Sequence, residues 1–373
     1  MTNDSMPTPH GAEHNGAAPG VGRPRAHVAW QLRSQAAVCA AMGSPLYALL
    51  LDRSADDVER GGVCWTLLGD HVAPGRGHAL ALRFLAAAHR MVLTGRAPAL
   101  ARHYPSVGGS PGASAWEDLR TLVEAERSEL SALVALPCQT NEVGRSAALI
   151  GGFLAVSART GLPLRLLEVG ASAGLNLRWD RFSYGGGGGF WGPPDSPVDL
   201  SSHWRAPPPH TAAKVEVAER RGCDRAPVDP ATEEGRLALS ASVWADQPAR
   251  LALLHGAIKI AASVPARLDR APLVDWTATA LGEARDRVAT VVYHSVVEEY
   301  LPAETRAAFR SAVESAGRAA RAGAPLAWLR LEPMSDLRRH ELTLTTWPGG
   351  ESAALGSCGP HGTDVSWSGG GVR

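Results

Sequence analysis

The pattern of apolar residues changes at Gly161, and that change limits the folds open to the chain. Before it, from Arg25 to about Thr160, apolar residues recur at helical spacing and no run reads as a strand. Trp116, Leu119, Leu122, Val123, Leu130, Leu133 and Val134 mark one face of a segment whose other face carries Glu117, Asp118, Arg120, Glu124, Arg127 and Glu129. That spacing predicts one amphipathic helix. A second helix is expected to take Thr140 or Asn141 as its N-cap and to run through Ala147, Leu149 and Phe153 to the break at Thr160 and Gly161. After Gly161, short apolar runs alternate with helical stretches: Leu164 to Val169, Val215 to Cys223, Leu273 with Val274, Val288 to Tyr293, and Leu326 to Leu331. Strand, helix, strand implies parallel pairing through right-handed crossovers. Glu341 to Trp347, Gly349-Gly350, then Ser352 to Cys358 reads as a hairpin. The expectation is an α/β fold: a Rossmann-like, mostly parallel sheet with a C-terminal antiparallel hairpin over 161–373, preceded by an all-helical N-terminal domain over 25–160. Residues 1–24, rich in Gly, Pro, Asn and His, are expected to form a disordered tail. The stretch 184–210, with five consecutive glycines and many prolines, is expected to be a long mobile loop.

Composition narrows the classes of function. The 37 basic residues balance the 37 acidic ones, and all but Lys214 and Lys259 of the basic residues are arginine, scattered without a stripe. Nothing in that balance draws the chain to nucleic acid or to an anionic membrane. The longest apolar stretch, around Ala147 to Val156, is broken by Gly151 and Gly152 and is too short for a span of roughly 20 residues. Cys39, Cys64, Cys138, Cys223 and Cys358 are odd in number, far apart and never in C-x-x-C spacing, which disfavours a disulfide framework and a metal site. A cytoplasmic protein is the expectation from these features.

The run LLEVGASAGLNL, Leu166 to Leu177, admits two chemistries. Gly170-Ala171-Ser172-Ala173-Gly174 spells G-x-S-x-G, the turn that presents a hydrolase nucleophile. Such a turn normally comes after earlier strands of its sheet, and none is expected before Leu164; Asp275 or Asp364 with His294 or His361 would complete a triad only on paper. The second chemistry reads the glycines: a strand feeds a turn at Gly170 and Gly174 whose backbone N–H groups face a nucleotide, with Glu168 at the strand end and Asn176 just beyond. Asp224, ending the run RRGCD, would accept hydrogen bonds from a ribose diol, and Asp275, in APLVDW, would border the base from the end of a third strand. Glu168, Asp224 and Asp275 at three strand ends fit a Rossmann-like sheet holding an adenosyl ligand.

These residues also carry a resemblance. PLRLLEVGASAGLNLRWDRFSY, with QTNEVGR (Gln139 to Arg145), SPLYALL (Ser44 to Leu50), RRGCDRAPVD and VWADQPAR (Val243 to Arg250), resembles the bacterial domain-of-unknown-function family 2332 over roughly Arg33 to Trp367. That family's core is similar to class I S-adenosylmethionine-dependent methyltransferases, and the resemblance implies S-adenosylmethionine as cofactor. Their first motif, an acid followed by G-x-G-x-G, corresponds to Glu168, Gly170 and Gly174, with Ser172 where the middle glycine usually stands. Asp224 lies further past the turn than a ribose acid usually does, which leaves Asp195 as a rival. The resemblance also favours a contribution of Gln139, Asn141, Glu142 and Arg145 to the ligand site; on their own they read as a helix cap with a surface ion pair.

Methyl transfer needs an in-line nucleophile, a dry pocket and, for some acceptors, a base. VVYHSVVEEY places His294 as candidate base, Tyr293 as pocket lining, and Glu298 or Glu299 as groups to orient a cation. Trp244 and Arg250 are weaker substrate-side candidates, because Asp246 or Gln247 before Pro248 is a sufficient helix start. The leading expectation is a methyltransferase acting on a small molecule; the alternatives are a nonenzymatic or differently reacting nucleotide-binding protein on the same sheet, and a hydrolase using Ser172.

Overall fold

A computed structural model describes residues 23–72, 80–283, 285–335 and 338–368. The tail expected over 1–24 lies, except for its last two residues, outside the described residues. The chain divides into two compact units, Met1–Thr140 with Leu237–Leu251, and Asn141–Arg236 with Ala252–Arg373. Among the described residues, no helix is long and apolar enough to cross a membrane.

The first unit is helical: α1 (Arg23–Ala41), α2 (Pro45–Glu59), α3 (Val63–Leu68), α4 (Leu80–Leu93), α5 (Pro98–Ala101), α6 (Ala115–Ala125) and α7 (Arg127–Val134). The single amphipathic helix expected over Trp116 to Val134 is in fact two. Glu126 leaves helical backbone (φ −115°, ψ 28°), which lets α7 change direction and lie against α4, where Arg83 Nη1 donates to Val134 O at 2.8 Å. The segment VWADQPAR belongs to this unit. Its Trp244 and Ala245 enter the same core as Leu46, Tyr47 and Leu50, so SPLYALL and VWADQPAR are brought together by packing.

The second unit begins with α8 (Ser146–Thr160) and β1 (Leu164–Val169), continues through β2 (Ser183–Gly186), β3 (Gly189–Trp191), β4 (Asp199–Leu200) and β5 (Val217–Asp224), and reaches the first unit's insert through α9 (Glu233–Ala241). The chain returns along α10 (Pro248–Ser263) into β6 (Arg267–Arg270), α11 (Leu273–Gly282), β7 (Ala289–Ser295), α12 (Ala303–Ala319), β8 (Leu326–Pro333), β9 (His340–Trp347), β10 (Glu351–Cys358) and β11 (Ser366–Trp367). These strands make a mixed α/β unit around an eight-stranded, mostly parallel sheet of order β11-β10-β9-β8-β7-β1-β5-β6. β6, β5, β1, β7 and β8 run parallel, and β9 and β10 form the antiparallel hairpin. β1 is buried on both faces, as a central parallel strand should be. Even its Arg165 is fully buried, satisfied by the carboxylates of Glu219 and Glu283 and the carbonyls of Ala280 and Glu283.

The structure corrects three further expectations. Leu273 and Val274 open helix α11 instead of forming a strand; Pro272 sets the backbone at its start, and the third strand is the polar β6, RLDR, which an apolar search passes over because an edge strand needs no apolar run. The stretch 184–210 is not a structureless loop. β2, β3 and β4 form a small sheet in which Tyr184 stacks on Trp204 and meets Trp191 edge-on, and the glycines admit close neighbours: a Cβ at Gly187 (φ +57°) would stand 2.2 Å from Arg205 O. Finally, α8 starts at Ser146, and neither Thr140 nor Asn141 caps it. It belongs to the sheet unit because its glycines pack on strand residues, Gly151 on Trp367 and Gly152 on Leu329.

Candidate functional site

The carboxyl ends of β1, β5 and β7 gather most of the sequence-predicted site. Glu168 sits in register between Gly222 of β5 and Tyr293 of β7. Beyond it the chain turns through Gly170 (φ +68°), Ser172 (φ +52°) and Gly174 (φ +63°). Positive φ suits glycine and is uncommon for serine. Side chains at the glycines would also collide, at Gly170 with Val297 Cγ2 (2.6 Å) and at Gly174 with Leu268 Cδ2 (2.8 Å).

This turn is stitched to β5. Ala171 N donates to Cys223 O (3.0 Å), Ser172 N to Asp224 Oδ2 (3.0 Å) and Gly174 N to Ala171 O (2.6 Å); Asp224 Oδ1 accepts from Ala226 N (2.8 Å). Leu175 N donates to Asn141 Oδ1 at 3.0 Å. The amides of Ala171, Ser172, Gly174 and Leu175 are therefore committed within the protein. The chain leaves the turn as a 3-10 segment, Leu175–Arg181, with Arg178 off helical backbone, so no long helix points its N-terminus at the turn.

Glu168 is 4% exposed, and its Oε2 has no hydrogen-bond partner. Burial pushes its carboxyl up to about 8, against the pull of Tyr293 and Arg178 and with a push from Asp224. The Tyr293 phenol lies close, but no well-directed hydrogen bond joins the two, and Tyr293 Oη is also buried without a partner. Arg178 acts through space only, since its donors go to Gly174 O (2.6 Å) and Val264 O (2.9 Å). Phe153 closes this side of the sheet, edge-on to Tyr293 at 5.1 Å and stacked on Trp179 at 4.5 Å.

Part of QTNEVGR braces the turn. Asn176 Nδ2 donates to Glu142 O (3.2 Å) while its Oδ1 accepts from Ser146 Oγ (2.9 Å), and Glu142 Oε1 accepts from Gly144 N at the start of the 3-10 turn Val143–Arg145. Arg145 ties Pro360 O (3.1 Å) to Ser295 O (3.3 Å) at the end of β7. Gln139 falls in the other unit, where its amide donates to Ser242 Oγ. Trp244 and Arg250 are there too, the guanidinium lying over the indole.

His294 does not share the side of the sheet that Tyr293 faces. Consecutive strand residues face opposite sides of a sheet. His294 is fully buried beside Phe309, its Nδ1 2.6 Å from Glu332 Oε1 and its Nε2 accepting from Trp328 Nε1 at 3.2 Å. Both ring nitrogens are engaged. Glu332 Oε1 also accepts from Val297 N (3.0 Å) and Glu298 N (3.3 Å), and so holds the loop that lays Val297 against Gly170; Val296, just before, has φ +58°, a costly backbone for a β-branched residue. Glu298 is bound by Arg310, and Glu299 is exposed. Asp275 is exposed in the first turn of α11, away from any strand end, and Asp195 is exposed between β3 and β4. On the third strand stands Asp269. Burial would raise its carboxyl, but hydrogen bonds from Trp276, Arg221 and Arg267 outweigh that and hold it low, which marks it as structural.

Sequence reasoning missed Arg178, Gly222 and Val297. Gly222 was visible as a glycine just before a strand end; a Cβ there would stand 2.8 Å from Ala171 Cβ. The other two had no local signal. An open cleft of about 540 Å³ lies elsewhere, lined by Asp180, Trp191, Glu216 and Arg220 among others, and includes none of the residues around Glu168. Among the described residues, no group of three or more His, Cys, Asp or Glu is arranged to hold a metal ion.

Neither a curated protein nor a solved structure matches this chain. A family model does: "Uncharacterized protein conserved in bacteria (DUF2332)" matches residues 29–367, and the chain belongs to that family.

Proposed function

We propose that the second unit is a Rossmann-like, S-adenosylmethionine-binding domain and that the protein transfers a methyl group to a small molecule. The observation that carries this reading is Glu168, a buried carboxyl with an unpartnered oxygen at the end of the central parallel strand. The chain leaves β1 outward through β5 and β6, then returns to β7 on β1's other side. The break between β1 and β7 is a topological switch point, the place where open α/β sheets bind ligands outside the strands' carboxyl ends. Glu168 stands at that break.

With the amides of Ala171, Ser172, Gly174 and Leu175 committed and no long helix starting at the turn, a ligand without phosphates is favoured at this point. A dinucleotide would need free N–H groups and a helix N-terminus for its pyrophosphate. An adenosyl amino acid needs an anion for its ammonium and an acceptor for its ribose. Glu168 would take the first, and its unpartnered oxygen fits that role. Asp224, half-buried, would take the second, since each of its oxygens accepts one backbone bond and retains a lone pair. When bound, the cofactor supplies an electrophilic methyl on a sulfonium. Phe153, Trp179 and Tyr293 keep the neighbourhood dry, and His294 positions the β7 strand end through Glu332 instead of acting as a base.

One feature favours the second reading, a hydrolase: Ser172 has the positive φ that a nucleophile elbow requires. Against it, no sheet strand precedes Leu164 among the described residues, and His294 is taken by Glu332 and Trp328. Calorimetric titration with S-adenosylmethionine and S-adenosylhomocysteine tests the main reading. Heat of binding with both supports it; no binding of either at millimolar concentration removes its basis.

A further inference from the structure

The helical unit contains a pair of side chains that the site around Glu168 does not use. His89 lies on α4, and Ser106 in the 3-10 turn Pro105–Val107. His89 Nε2 stands 2.8 Å from Ser106 Oγ, while Nδ1 lies 3.0 Å from Val243 O and 3.3 Å from Ala241 O. A carbonyl oxygen only accepts, so Nδ1 carries the hydrogen and Nε2 offers its lone pair to the serine hydroxyl. Burial pushes the imidazole down to about 4, which keeps that lone pair available at neutral pH.

The two residues differ in access. His89 is fully buried, whereas Ser106 is half-buried beside exposed Val107 and Gly108, where an added Cβ would meet nothing within 4 Å. Ser106 N is anchored on Ala245 O at 2.9 Å, which fixes the hydroxyl relative to the ring. Tyr104 Oη, buried without a partner, belongs to a ring 5.5 Å from the imidazole. At Nε2 this histidine ends on the hydroxyl of a half-buried residue whose next two neighbours are exposed.

We propose that Ser106 is a nucleophile activated by His89, with the carbonyls of Val243 and Ala241 in the orienting place that a carboxylate holds in a triad, and that it accepts the acyl group of a small activated ester. Nucleophile, base and orienting group within hydrogen-bond reach form the activating part of the arrangement that covalent acyl transfer uses. Ser106 Oγ bonds to the carbonyl carbon as its proton moves to His89 Nε2. The bond to the leaving oxygen breaks, and that oxygen takes the proton from Nε2. Water then attacks the acyl-serine by the same route, with the proton again passing through Nε2, and releases the acid.

The test treats the full chain with diisopropyl fluorophosphate and locates the adduct by intact-mass spectrometry and peptide mapping. One adduct on Ser106 is expected, absent in Ser106→Ala and formed about a hundredfold more slowly in His89→Gln. The wild-type result decides first, so the proposal does not depend on whether His89→Gln folds. No adduct on Ser106 after hours at millimolar probe overturns it, as does an adduct only elsewhere. Equal labelling in a folded His89→Gln overturns the role given to the histidine.

Discussion

Glu168 and Tyr293 stand directly opposite each other on adjacent parallel strands, each ending in a buried oxygen without a hydrogen-bond partner. Buried orphan oxygens destabilise a fold unless something else uses them. The carboxyl, held up at about 8, is protonated at neutral pH.

That shift sets a pH dependence with a definite sign. A carboxyl whose folded value is above its unfolded one favours the folded state most while it is protonated in both. Stability should therefore fall as pH rises from about 4.5 to about 8 and level off above that. Glu168→Gln should remove this slope and be the more stable protein at pH 8, by up to a few kcal/mol. Urea titrations of both proteins between pH 5 and pH 9 check this; parallel curves would contradict it.

If Glu168 receives an ammonium, it must ionise on binding. Titration of S-adenosylmethionine at pH 7 in buffers of different ionisation enthalpy should show release of close to one proton, and markedly less at pH 9. Glu168→Gln should abolish the release and weaken binding by tenfold or more. A buffer-independent heat at pH 7 would separate the ligand from Glu168.

Asp224 has both structural and binding roles, so the choice of substitution matters. Asp224→Asn can still accept from Ser172 N but sets its NH2 against Ala226 N, so it should cost some stability, read from a thermal melt, while weakening adenosyl binding by about 1.5 to 3 kcal/mol. Asp195→Ala should change binding little. Calorimetry on the two variants checks the assignment, and the reverse order would move the ribose site to Asp195.

Ser172→Ala should leave cofactor binding within about tenfold, because a hydroxyl contributes at most one ordinary hydrogen bond. Gly170→Val should do much worse, since its side chain would enter Val297 and its backbone would be strained at φ +68°. A fluorophosphonate adduct on Ser172, distinguished from Ser106 by peptide mapping, would instead favour the hydrolase reading.

In the helical unit, Asp246 caps a helix from 200 residues away: its Oδ2 accepts from Leu46 N at 2.9 Å and its Oδ1 from Ser44 Oγ at 2.5 Å, at the start of α2. Asp246→Ala should destabilise the protein by about 1 to 2 kcal/mol, the scale of a lost N-cap, and Ser44→Ala by less. Thermal melts of the two variants give the comparison.

Part of the order of elements was legible from local pattern. Leu164 to Val169 as the first strand, the hairpin after Glu341 and the strand-end positions of Glu168 and Asp224 all come from runs of side chains whose period belongs to one segment. The positive-φ positions at Gly170 and Gly174 were also announced by residue type.

Tertiary structure decided which of those residues meet. Parallel register placed Tyr293, and not its neighbour His294, beside Glu168; the two-residue period says they face apart, but only pairing with β1 says which faces the carboxyl. The polar β6 is a strand because β5 offers it an edge, and Asp275 was displaced into a helix by the same arrangement. Likewise, the amides of Ala171, Ser172 and Leu175 looked free in sequence and are spent on Cys223, Asp224 and Asn141, partners 34 to 52 positions away. Periodicity is a property of one stretch of chain, whereas register, burial and the filling of each hydrogen bond depend on two stretches that the sequence keeps far apart.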